Sequence, residues 1–192
     1  MDQSDPSSSP ASDADDHPPP DCSAQSSSIE VELIDPLNLL TEHAKRSLAD
    51  LAASALAALP NIGQVRVLIV NDERMIQAHL KFSNLATTTD VLTFDLAEPA
   101  ENFDQKIIDT DLTICYDQAK RQAKEHNHRV EHELLLYIIH GTLHCLGYDD
   151  HTDADYQRIH QREDELLANI GIDPTFFTTQ SNPSNPHKEP NP

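Results

Sequence analysis

Basic residues are scarce. Lys and Arg number 13 against 33 Asp and Glu, giving a formal net charge of −20 over 192 residues. With a pI near 4.6, bulk charge does not make this a protein that coats nucleic acid, although a local basic groove remains compatible with it. Long apolar runs are also missing: no stretch approaches the ~18 residues of a transmembrane helix. The first thirty residues are polar and acidic, without the apolar core of a secretory signal. Cysteines number three (Cys22, Cys115 and Cys145). That odd count at no pairing spacing excludes a disulfide framework and fits a reducing compartment. A cytoplasmic location without a membrane partner is the expectation.

The composition divides the chain. Residues 1–27 hold six aspartates and five prolines among many serines, with no Lys or Arg. Such a segment cannot bury enough apolar surface to offset the entropy of ordering it, so a disordered acidic tail is expected. Residues 177–192, with four prolines among Ser, Asn and His, read as a second disordered tail. No internal repeat is present, and residues 28–176 remain as a single domain long enough for one core.

Within that domain the hydrophobic periods are legible. Ile29, Val31 and Leu33 alternate with polar neighbours, as in a strand. Asp35-Pro36 offers an N-cap and a first helical residue, and Leu40, Ala44, Leu48, Leu51, Ala55 and Leu59 recur at helical spacing up to Pro60. Val65, Val67 and Ile69 alternate again, and Asn71-Asp72 opens a short helix through Ile76 and Leu80. Val91–Leu96 and Ile107–Cys115 read as two more strands joined by a long acidic loop, followed by helices over about 117–127, 130–146 and 153–169, the last capped by Thr152. Strands among helices followed by helices alone indicate an α+β fold, with a small mixed β-sheet of about four strands and surrounding helices.

Seven of the eleven histidines lie between residues 126 and 160. Among them, His140 and His144 stand four apart, so a helix presents both imidazoles from one face. That bite suits a tetrahedral metal such as zinc. Gly147 can end the helix in the left-handed conformation, and the returning chain brings Asp149, Asp150 or His151 towards the same ion. Two helical histidines, a glycine break and a third donor leave one position open, which is the arrangement of a catalytic metal. The apolar residues Leu134, Leu135, Ile138, Ile139, Leu143 and Leu146 indicate a largely buried helix, on which imidazoles need partners. The metal site is thus expected on a C-terminal helix and turn of a metal-dependent hydrolase domain.

A metalloprotease is a poor fit. Gly141 occupies the position of the glutamate base after the first histidine, and no downstream methionine can form a Met-turn, since only Met1 and Met75 occur. If a carboxylate base is needed, the candidates are Asp149, which also suits turn chemistry, and Glu133, which equally suits a supporting or ion-pair role. Lys120, Arg121 and Lys124 cluster on one predicted helix and form a candidate phosphate-facing stripe, against the alternative of a solvated face with Lys/Glu pairs. Adjacent helical residues point about 100° apart, which assigns Cys145 to packing rather than to the ligand set of His144. Tyr148 reads as a packing residue at the turn, and Asp90 as a strand-end anchor. His126, His128, His132 and His160 read as surface histidines. Gly141 marks either a close approach or a plain helix weakening.

The run His140-Gly141-Thr142-Leu143-His144, then Gly147-Tyr148-Asp149, preceded by Glu133-Leu134, resembles the YbeY family of bacterial rRNA maturation factors. Thr89-Asp90-Val91-Leu92-Thr93-Phe94 resembles a strand of that family, and Asp111-Leu112-Thr113-Ile114 resembles its next strand. The resemblance covers about residues 30–170. It implies a small mixed sheet with surrounding helices and one zinc ion per chain. It further implies endonucleolytic cleavage of single-stranded RNA in ribosomal RNA maturation (the 16S 3′ end) and ribosome assembly, with ribosomal RNA and the small ribosomal subunit as partners. In this register the third ligand position falls on Asp150, with Glu163 and Leu166 aligned downstream without a gap; His151, one residue later, is the rival. A family arginine is replaced by Ser83, and Lys81 is the nearby cation. The alternative reading is a non-catalytic, ribosome-binding assembly factor whose zinc is structural.

Overall fold

The computed structural model describes residues 29–97 and 107–173. Both expected tails and most of the acidic loop lie outside the described residues. Four strands form one sheet: β1 (Glu30–Ile34), β2 (Ile62–Val70), β3 (Val91–Asp95) and β4 (Ile108–Cys115), in the order β1-β2-β4-β3. β1 pairs parallel with β2 and β2 parallel with β4, whereas β3 runs antiparallel along β4. The helices are α1 (Glu42–Leu56), α2 (Asp72–Ser83), α3 (Tyr116–His126), α4 (Val130–Cys145) and α5 (Asp153–Asn169). This is the α+β architecture with a four-stranded mixed sheet that the periodicity implies.

One helix boundary departs from expectation. Asp35-Pro36 does not open α1. The Asp35 carboxylate instead accepts from the Leu40 amide at 2.9 Å, closing a turn. Asn38 adopts a positive φ of 52°, which no helix continues through. Thr41 then caps α1 by accepting from the Ala44 amide.

The core lies between the sheet and α1, α4 and α5. Val65, Val67 and Ile69 of β2 and Leu112 and Ile114 of β4 meet Leu48, Ala52, Ala55 and Leu56 of α1, Leu134, Leu135, Ile138, Ile139 and Leu143 of α4, and Ile159, Leu166 and Leu167 of α5. Val70, Met75 and Cys115 form a smaller cluster beneath α2. α4 packs against α1, α3, α5, β3 and β4, so its sequence is apolar nearly all round rather than striped.

Gly141 brings α4 unusually close to the sheet. A Cβ there would stand 2.8 Å from Leu112 Cδ2, 3.0 Å from Thr93 Oγ1 and 3.2 Å from Val91 Cγ2. The missing side chain is therefore the means by which helix and sheet reach contact distance. In an exposed helix interior Gly→Ala stabilises by about 1 kcal/mol. Here Gly141→Ala is expected to destabilise by about 1–3 kcal/mol through overpacking, and Gly141→Val by more, read as a fall in the urea midpoint.

Candidate metal centre

The C-terminal half of α4 holds His140 and His144 on one face, and a Schellman turn ends the helix. Gly147 takes φ 86°, its amide donates to the His144 carbonyl at 3.0 Å, and the Tyr148 amide donates to the Leu143 carbonyl at 3.1 Å. This turn faces the Tyr148 carbonyl towards the helix end, where it accepts from His144 Nδ1 at 3.0 Å. A carbonyl only accepts, so the His144 proton sits on Nδ1 and Nε2 carries a lone pair.

His140 is fixed in the same way from α5. Its Nδ1 lies 2.6 Å from Glu163 Oε1, and His160 Nδ1 lies 2.6 Å from Glu163 Oε2. Glu163 is 1% exposed. Burial pushes its carboxyl up, but the hydrogen bonds from His140 and His160 outweigh that and hold it below the usual glutamate range. Burial opposes the charged form of His140, yet the hydrogen bond and charge of Glu163, with Asp90 and Asp150 beyond, raise its pKa.

With both Nδ1 atoms engaged, the two Nε2 atoms face each other 3.0 Å apart. In the neutral rings these are two opposed lone pairs, an arrangement relieved only by a proton or a cation between them. Asp150 joins them: its carboxylate and the two histidines offer ligand atoms that all lie within 4.8 Å of one another. His151 is grouped instead with Asp149 and Asp150, and its side chain is 83% exposed. Two imidazoles and a carboxylate converging on one point fit a zinc-like divalent ion.

Asp149 lies in the turn, half-buried, accepting from the Asp150 amide at 2.7 Å. Glu133 is turned elsewhere. It is 2% exposed and pairs with His128 Nε2 at 2.5 Å and His126 Nδ1 at 3.3 Å, near the opposite end of α4.

The basic stripe is partly engaged. Arg121 clamps Asp72 through two bonds of 2.7 and 2.8 Å, which with Cys115 and Thr88 pulls the Asp72 carboxyl down to about 2. Lys120 pairs with Asp117 at 2.7 Å. Lys124 is exposed. Lys81 sits over the Phe82 ring at 4.8 Å, and Ser83 closes α2. Asp90 anchors its strand as expected, accepting from the Val91 amide at 2.8 Å, and Cys145 is buried with its thiol on Thr110.

Three histidines read as surface residues prove otherwise. His160 holds Glu163; His128 holds Glu133; and His132 is half-buried with an Nε2 that has no hydrogen-bond partner among the described residues. The missed residue at the site is Glu163. Its signal was present, since it recurs with Ile159, Leu166 and Leu167 on the core face of α5, where a lone carboxylate requires a partner.

The family model described as "Endoribonuclease YbeY" matches residues 28–171. Among curated relatives named Endoribonuclease YbeY, that of Staphylococcus carnosus is 35% identical over 112 residues, covering 57% of this chain and 73% of its own. That of Macrococcus caseolyticus is 39% identical over 105 residues, covering 53% and 68%. That of Geobacillus thermodenitrificans is 30% identical over 152 residues, covering 75% and 97%. The chain is also similar to the solution structure of TM1509 from Thermotoga maritima, with TM-score 0.43 and 23% identity, covering 84% of this chain and 99% of that one.

The Glu163–His140 pair has a definite pH signature in the metal-free protein. The lowered carboxyl contributes stability above the ordinary glutamate value of 4.5, lost as pH falls through its folded value. The raised imidazole contributes below the ordinary histidine value of 6.5, lost as pH rises through its folded value. Chelated wild type is therefore expected to show a stability maximum between those limits in denaturation at stepped pH. Glu163→Gln should flatten that maximum.

Proposed function

The chain belongs to the YbeY family of endoribonucleases, and from that premise we propose that it cuts RNA with one zinc ion held by His140, His144 and Asp150. As a member of the family it is a metal-dependent nuclease acting on RNA, in ribosomal RNA processing. The finer reading is that the substrate is single-stranded, that cleavage serves maturation of the 16S rRNA 3′ end, and that the small ribosomal subunit is the partner during assembly.

The observation that carries the proposal is the pair of Nε2 atoms 3.0 Å apart, with His140 held through Nδ1 from α5 and His144 from the turn that ends α4. Glu163 and the Tyr148 carbonyl keep those protons in place, so neither ring needs to reorient before an ion binds. A zinc ion there supplies Lewis acidity and lowers the pKa of water. Three protein donors leave a position to which substrate or water has access. Asp149, beside Asp150 in the turn, would be the carboxylate that accepts the proton of the attacking water. Exposed Lys124 meets the RNA backbone, with Lys120 and Arg121 on the same helix sharing their charge with Asp117 and Asp72.

The test is cleavage of single-stranded ribosomal RNA fragments, with zinc per chain measured on the same preparations. His144→Ala and Asp150→Ala are each expected to weaken zinc binding at this centre and to lower cleavage by at least about 100-fold, while His151→Ala leaves both near wild type. Zinc retained at one per chain with no cleavage by wild type would overturn the catalytic reading in favour of the structural-zinc assembly factor. A separate expectation concerns charge: Lys124→Ala weakens RNA binding across sequences and lowers the salt slope by about one, measured by filter binding at several salt concentrations.

A further inference from the structure

The opposite end of α4 carries a second convergence of ligand types. His126 ends α3, His128 lies in the connection, and Glu133 points back from the first turns of α4. Their ligand atoms lie within 4.8 Å of one another, and both histidines aim at the same oxygen, Glu133 Oε1, from 3.3 and 2.5 Å. Along the helix, Glu133 and His140 are separated by roughly 10 Å at 1.5 Å per residue, too far to share an ion.

We propose that His126, His128 and Glu133 form a second metal-binding site, distinct from the His140–His144–Asp150 centre, for a borderline divalent cation such as zinc. Two imidazole nitrogens and one carboxylate oxygen suit zinc, cobalt or nickel. The set lacks the thiolates that select soft ions and the six or more oxygens that calcium takes. Tetrahedral ligands at about 2.0 Å stand about 3.3 Å apart, the separation already present between His126 and Glu133. The His128–Glu133 contact would open by roughly 1 Å or less to admit the ion.

The surroundings support a cation. Glu133 is almost wholly buried, so its charge must be compensated within the fold. The site lies between the C-terminal end of α3, which favours positive charge, and the N-terminal end of α4, which opposes it, so the two helix dipoles largely cancel there. A further imidazole stands beside the group: the His132 ring is tilted against His128 with centroids 4.7 Å apart, and its buried Nε2 has no hydrogen-bond partner among the described residues. A cavity of about 600 Å³ lined by His43, Ser47, His128, Arg129, Glu131 and His132 borders the group on its His128 side.

The experiment is zinc titration of the chelator-stripped full-length chain, with bound zinc per chain counted after gel filtration and cobalt(II) absorption as a second readout. The variants are His126→Ala, whose exposed position spares the fold, and the double variant His140→Ala/His144→Ala. Expected are two ions in wild type and one in the double variant. In His126→Ala one tight ion remains and the second is weakened at least about 100-fold. In the double variant, cobalt d–d bands that disappear when His126→Ala is added would mark the ligands directly. The proposal is overturned if wild type takes one ion that His126→Ala retains, or if a second ion survives His126→Ala undiminished. A single ion lost in His126→Ala but kept in the double variant would sustain this site and overturn the His140–His144 centre instead.

Discussion

A buried carboxylate stays ionised only when its oxygens are occupied, and both oxygens of Glu163 are filled by imidazole nitrogens at 2.6 Å. That bridge joins α5 to α4, fixes which nitrogen of His140 carries its proton, and leaves Nε2 facing His144. The turn does the same for His144 with a backbone carbonyl, made available by the left-handed Gly147. The ligand face of the centre is thus specified by groups that do not themselves point at the ion. Asp150, the more exposed donor, arrives on the segment that the turn redirects.

The fold was legible where a single period dominates. β1, β2 and β4 alternate, α4 is apolar on all sides because it packs against helices and sheet together, and Thr152 caps α5 by accepting from the Asp155 amide. The departure at Asp35-Pro36 arose because one carboxylate can cap a helix or close a turn, and local sequence does not distinguish them. Asn38 in the left-handed region settled it in favour of the turn.

The His140–His144 pair was legible because helical spacing alone puts two imidazoles together. Asp150 and His151 could not be separated by chemistry, since both are good ligands one residue apart. What separates them in space is the turn, which sends His151 to solvent. Glu163, His160 and the Glu133 group were read poorly for another reason. Glu163 meets His140 on α4 and Glu133 meets His126 on α3, and a histidine near polar neighbours looks like a surface residue until the packing of α3, α4 and α5 is known. The basic stripe illustrates the converse: cations clustered in sequence are partly consumed by Asp72 and Asp117 in space.

The enclosure of α4 on every side has a consequence for motion. A helix held by five neighbouring elements cannot fray one end while the other stays intact, so its amides exchange with solvent mainly through opening of the whole domain. An ion captured near its C-terminal end would lower the population of that open state by mass action. It would thereby slow hydrogen exchange along the full helix, including amides beside Glu133 that never approach it. Through α4, the occupancy of one end is registered as rigidity at the other.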